Sequence, residues 1–371
     1  MSPIRVSPLQ IALVLLTFPV VASSYYYPHL IYRLGTRGWW LTIVISDAVI
    51  YGLVWIWFLL AKTFPQGTLV GVARGGMGQI VGGFILLPLV LPLWLSAVIT
   101  LRQLAVLTTV SLLPHTSIGF LYLVGLVTAF YLAYLGIKGI SHYSEIIMIL
   151  ITLPLMLVLY AIAFENFKLI YLAPWWWLPD HVRATGVFEL PLAFCGLLAL
   201  PVLLPYVDTL SHLKSGVAWV LGIGSLVLLV GVAGPLGTLG PAAAKATPLP
   251  SLTFFNAAAT AILFVQQLAY PIVALWMAIY IGAAALALWA SARAVAEIFG
   301  RPRIIGTLVV LTILAWAMNQ ALPTIAQLRQ ATVLLGILTS IGLIWMVLSA
   351  IMINMLARRR HRTGNRHAPS S

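Results

Sequence analysis

Two stretches of the chain combine prolines, small residues and hydroxyls inside runs apolar enough to cross a bilayer. The first is Phe18–Leu30, FPVVASSYYYPHL, and the second is Phe188–Asp208, FELPLAFCGLLALPVLLPYVD. In the second, Pro191, Pro201 and Pro205 each remove a backbone donor and obstruct the helix before them. Hydrocarbon offers no water to a freed carbonyl, so a broken helix is tolerated only against protein or a water-lined cavity. Freed N–H groups at the end of a half-helix attract a carboxylate, and freed C=O groups attract an ammonium or a cation. An amino acid zwitterion suits such a pair of ends. The residues expected to line the site are Val21, Ala22, Ser23, Ser24 and Tyr25 on one side and Phe194, Cys195, Gly196, Leu197 and Leu198 on the other. The competing reading is that prolines are common in membrane helices and only kink them.

Ionisable groups inside spans are functional candidates by default, and this chain has few. Arg102 lies well inside the third apolar run and Asp47 inside the second; Glu145 starts the fifth, and Glu189 and Asp208 bracket the sixth. Arg102, the deepest base, is expected to face the bundle and pair with a carboxylate or with carbonyls, in a structural or a substrate-facing role. For Glu145 and Asp47 a satisfied bond between helices is expected over a proton relay. The single cysteine, Cys195, leaves no internal disulfide and no thiolate zinc site. His29, His115, His142, His181 and His212 fall in different loops or span ends, with no metal-ligand spacing. There is no HExxH, and the glycines of Gly67–Gly83 lack the lysine and Ser/Thr ending of a phosphate loop. Neither an enzyme nor a cofactor nor a metal is expected.

The elements that position these groups follow from composition. Of the 371 residues, 62% are hydrophobic and 7% charged, where a soluble domain is about a quarter charged. The chain reads as an all-α polytopic membrane protein; the runs lack the alternation of an outer-membrane barrel. With about 20 apolar residues per span, ten transmembrane helices are expected, near 9–31, 39–61, 80–111, 117–137, 144–164, 187–207, 216–237, 268–292, 304–322 and 333–356. Leu252–Val265 is too short to cross alone, and Thr238–Asn256 reads as a loop. Ten spans with breaks in the first and sixth divide as five plus five. An odd repeat inverts topology, with the substrate near the midplane. The repeats cover about 7–165 and 186–357 of a single transmembrane domain, 1–357, followed by a basic, disordered tail at 358–371.

Net charge is +13, read as the usual cytoplasmic-loop excess and not as nucleic-acid binding. Thirteen of the twenty Lys and Arg residues fall on the side that carries both termini, so both are expected in the cytoplasm. Only Arg5 among the Lys and Arg residues precedes the first span, which reads as a retained helix and not a removed signal. Trp39–Trp40 and Trp175–Trp177 suit the membrane–water boundary. The tail arginines suit anionic lipid or a stop-transfer anchor.

The order of these features resembles the endospore germination permeases, the B-subunits of nutrient germinant receptors. The resemblance runs through SPLQIALVLLTFPVV at 7–21, GTRGWWLTIVISDAV at 35–49, FPQGTLVGVARGGMGQIVG at 64–82 and LRQLAVLTTVSLLPHT at 101–116. It continues through YLGIKGISHYSEIIMILITLPL at 134–155, NFKLIYLAP at 166–174 and FCGLLALPVLLPYV at 194–207, and covers roughly 7–300. The family is similar to the amino acid–polyamine–organocation transporters. The resemblance implies a location in the spore inner membrane, partner A- and C-type subunits, and an amino acid germinant held by helices 1 and 6. The chain departs from relatives at Val21 and Ser23, where they carry glycines, at Leu197 and Leu198, where they often carry an acid, and at His142, where arginine is common. The second departure favours an apolar side-chain pocket. The rival function is a secondary amino acid permease coupled to a proton or sodium ion.

Overall fold

The computed structural model describes residues 5–35, 38–62, 87–173, 188–207, 209–258, 269–300 and 304–364, with side chains to 355. Every regular element among the described residues is helical. Gly67–Gly83, Trp175–Trp177, His181, Asp208 and the last seven residues lie outside them.

The first helix, α1 (Pro8–Ser24), opens on a capping box. Ser7 Oγ accepts from the Gln10 amide, the Gln10 side chain accepts from the Ser7 amide, and Pro8 takes the first position. After Tyr25 and Tyr26 the chain resumes as α2 (Tyr27–Leu34), bent by 55° from α1. Then come α3 (Trp39–Ala61), α4 (Leu87–Ser111) and α5 (Ile118–Tyr134). Gly136, at a φ of 75°, separates α5 from α6 (Gly136–Asn166). Within α6, Ile146–Thr152 winds as a π-helix just before Pro154. A proline lacks the donor and crowds the carbonyl four residues back, so the wider turn accommodates it.

The second half begins with α7 (Leu190–Tyr206), α8 (Leu210–Leu239), and two short helices, α9 (Pro241–Ala246) and α10 (Pro250–Ala258). It ends with α11 (Ala269–Ile298), α12 (Ile305–Gln320) and α13 (Ile325–Gly364). Among the described residues six helices (α3, α4, α6, α8, α11 and α13) are long and apolar enough to cross a membrane, and the bent pair α1–α2 passes the same test together. The shorter apolar helices are α5, α7 and α12.

Burial sorts them. The apolar window of α4 is 89% buried and that of α11 78%, against 22% for α6, so α4 and α11 form the centre and α6 the periphery. The outward faces carry Val44, Leu59, Val127, Leu157 and Leu226, an apolar surface suited to lipid.

Two sequence readings are corrected. Thr238–Asn256 is not a loop: it holds the end of α8, all of α9 and most of α10. Pro241 and Pro250 each sit at a helix start, where a missing donor costs nothing. The tail expected to be disordered is helical as far as Gly364, because α13 continues without a break past Met355.

Candidate functional site

At the first break the backbone turns and side chains from other helices take its carbonyls. Ser24 Oγ donates to Val21 O at 2.8 Å and lies 2.8 Å from Tyr280 Oη of α11, which itself donates to Val21 O at 3.3 Å. Ser251 Oγ of α10 donates to Ser23 O at 2.9 Å, and Ser23 Oγ to Val20 O. Tyr32 of α2 donates to Val232 O of α8 at 2.6 Å. Val21, Ala22, Ser23, Ser24 and Tyr25 are all buried. A bend of this kind leaves acceptors without helical partners, and here hydroxyls brought in from α10 and α11 satisfy them.

The second break has another character. Leu190–Ala199 winds as a 3₁₀ helix, with Phe194 off helical geometry at φ −114°, ψ 22°. Phe194, Cys195, Gly196, Leu197 and Leu198 are buried. A Cβ added at Gly196 would stand 2.5 Å from Cδ2 of Phe18, so the glycine lets the α1 ring lie flat on the α7 backbone. The Phe194 ring packs with Pro19 of α1 over Gly224 of α8, where a Cβ would approach each to 3.0 Å. Cys195 Sγ lies 3.6 Å from Pro92 O of α4, a weak contact suited to a small packing residue.

The structure thus joins the two predicted stretches through Phe18 and Pro19 against Phe194 and Gly196. The hydrogen bonds of Ser23 and Ser24 run to α10 and α11. Sequence reasoning missed Tyr280 and Ser251. A tyrosine near the middle of an apolar run, away from the boundary, was the available signal for Tyr280.

The ionisable candidates separate. Arg102 is buried in α4 and donates to Asn319 Oδ1 at 3.3 Å and to Pro323 O at 3.1 Å, an amide and a carbonyl. Glu145 Oε2 accepts from Gln10 of α1 at 2.7 Å and lies 3.5 Å from His142 Nδ1, tying the start of α1 to α6. Asp47 is buried, and its Oδ2 has no hydrogen-bond partner among the described residues. Glu189, at the start of α7, forms an ion pair with Arg33 of α2 that sequence reasoning did not foresee. The two half-elements flanking the breaks are therefore linked at one end of the bundle by charge, and α1 to α6 at the other by amide and carboxylate. No group of three or more His, Cys, Asp or Glu side chains among the described residues can hold a metal ion.

A helix bundle with one span bent at a polar break and a second wound irregularly beside it is the plan of a membrane transporter. Among solved structures, the chain is similar to MhsT in complex with L-phenylalanine, at 13% identity and a TM-score of 0.62, covering 96% of this chain and 100% of that one. At that identity the likeness shows the fold. No curated protein sequence matches the chain. The family described as spore germination protein matches residues 5–325, and the chain belongs to it. The match reaches past the limit near 300 expected from sequence and stops at the start of α13. It is thus an integral membrane protein of the germination permease family, with a fold like that of MhsT.

Proposed function

We propose that this chain is the membrane subunit of a germinant receptor that binds a small nutrient, a neutral amino acid, between the α1–α2 break and α7. Occupancy is passed to A- and C-type partner subunits in the spore inner membrane, and no chemical step is catalysed. The observation that supports this most is the family match over 5–325 on a chain whose two irregular spans meet through Phe18 and Gly196. The apolar lining from Phe18, Phe194, Leu197 and Leu198 suits an uncharged side chain. The polar groups at Ser23 and Ser24 suit the amino acid's charged end. With the bent pair taken as one span and α5, α7 and α12 each as a crossing, the bundle counts ten, in two inverted sets of five with both termini cytoplasmic.

A second reading is favoured by the structural neighbour MhsT, seen in complex with L-phenylalanine: a secondary permease coupled to a proton or sodium ion. One experiment divides the two. Purified protein in liposomes is screened for stabilisation by the amino acids, then tested for radiolabelled flux of each hit. Stabilisation without uptake supports the receptor. Uptake driven by a proton or sodium gradient replaces it with the permease. Stabilisation by no amino acid in either the isolated chain or the assembled receptor overturns both.

A further inference from the structure

The helices α1 and α8 start at the same end of the bundle and run side by side. Gly216 of α8 meets Pro8, Gly224 meets Pro19 and Gly231 meets Ser23, each so closely that an added Cβ would stand 2.9 or 3.0 Å from the α1 residue. On their outer side the two helices leave a groove of about 430 Å³ along residues 8–16 and 212–223. Ala12, Leu16 and Val220 are part of its buried, apolar floor, and Leu9, Trp219 and Ile223 stand exposed along its rim. The lining residues recur every third or fourth position, so one stripe of each helix is turned to the groove. Imidazole and hydroxyl groups enter the lining at one end only, where His212 and Ser215 lie in the first two turns of α8.

That end lies at the membrane boundary. Lys214, between the two polar residues, holds its ammonium 3.2 Å from the centre of the Trp55 ring, and a lysine with an indole suits the headgroup level. From Ser215 to Ile223 the groove descends about 12 Å, close to the depth of one leaflet, about 15 Å. It therefore opens sideways into hydrocarbon. An apolar lining of this kind stays dry, and an unfilled groove forfeits the dispersion contacts of its walls. We propose that the groove holds one acyl chain of a phospholipid, with the phosphate met by Ser215 and His212. The polar end, the apolar floor and the depth match a headgroup and its chain in that order. A third helix, about 10–12 Å across, would rest on Leu9 and Trp219 and leave the floor unfilled. A seated chain lies against Pro8–Leu16, the half of α1 before the break, and braces it on α8. None of this depends on the amino acid reading.

The test places the full chain in liposomes of phosphatidylglycerol and phosphatidylethanolamine, with a trace of phospholipid carrying a photoreactive diazirine in its acyl chain. Labelled peptides are mapped by mass spectrometry. Labelling within 8–16 and 212–223 is expected to exceed that of the exposed Leu150–Leu157 face of α6 by about fivefold. Ala12→Phe fills the floor and should abolish the excess. Ser215→Trp, at an exposed position, sets an indole across the mouth and should do the same. Val127→Phe, on an exposed face of α5, should leave it unchanged. Joint replacement of His212 and Ser215 by alanine should remove about half of the excess, and no change there would overturn the headgroup contact. Equal labelling of the groove and α6 in the wild type, or an excess untouched by both Ala12→Phe and Ser215→Trp, overturns the proposal. In a second arm p-benzoylphenylalanine replaces Trp219 and is irradiated in whole membranes, where capture of phospholipid is expected. Capture of a polypeptide in its place, from this chain or another, would give the groove to protein and overturn the lipid site.

Discussion

The two broken spans solve the same physical problem by opposite means. In the first, the bend at Tyr25–Tyr26 leaves carbonyls that Ser24, Tyr280 and Ser251 satisfy from three elements. In the second, the backbone tightens to a 3₁₀ helix and the space is set by contact, Phe18 on Gly196 and Phe194 on Gly224. One break is held by directed polar bonds, the other by shape. A ligand lying between them meets a polar end and an apolar end, which is the division an amino acid with an uncharged side chain presents. It also means that the first break should respond to losing single hydroxyls and the second to gaining single carbons.

The sharpest way to break this comparison is Gly196→Leu. The added carbons meet the Phe18 ring, and overpacking of a filled interior costs about 1–3 kcal/mol or more. Thermal melts of the purified protein should show the largest loss of this series.

Next comes Glu189→Gln. It removes the carboxylate that holds Arg33 and leaves the Glu189 backbone against α13, where a Cβ on Gly336 would stand 2.2 Å from the backbone oxygen. Because Glu189 is buried and Arg33 largely is not, a loss of about 1–2 kcal/mol is expected. Equal stability of wild type and variant would show that packing alone seats the start of α7.

Tyr280→Phe removes the hydroxyl shared by Ser24 and Val21 O. A cost of about 1 kcal/mol is expected, and with it weaker ligand stabilisation, because Val21 O is then held by Ser24 alone. The smallest effect is expected from Asp47→Asn. The Asp47 carboxyl accepts a hydrogen bond from Ser225 of α8, while its Oδ2 has no partner among the described residues; asparagine keeps an oxygen for Ser225 and loses only the ionisable group. A melt within about 0.5 kcal/mol of wild type is expected, and a large loss would show that the carboxylate charge itself holds α3 to α8.

Much of this architecture was legible because membrane segments announce themselves by length and hydropathy. The breaks were legible because prolines within such segments cannot be silent. Arg102 facing inward and ending on a carbonyl was one of two partners expected from a deep base. What could not be read was pairing across distance. Ser24 with Tyr280 spans 256 positions, and Arg33 with Glu189 spans 156. Neither follows a local period, so neither leaves a pattern in the chain. The helices α9 and α10 were misread for a related reason. Their Gly, Pro and Ala content signals a turn when taken as composition, yet each proline stands at a first-turn position where it starts a helix.

The most direct test of the central claim is equilibrium binding of radiolabelled neutral amino acids to the liposome-embedded protein, wild type against Gly196→Ala. The atoms nearest the single methyl all belong to the Phe18 ring, the movable end of a side chain, so the variant should remain folded. The account predicts that the wild type binds and that the variant, with Phe18 displaced into the space between α1 and α7, binds at least tenfold more weakly. Binding of equal strength by a folded Gly196→Ala protein would place the ligand elsewhere and contradict it.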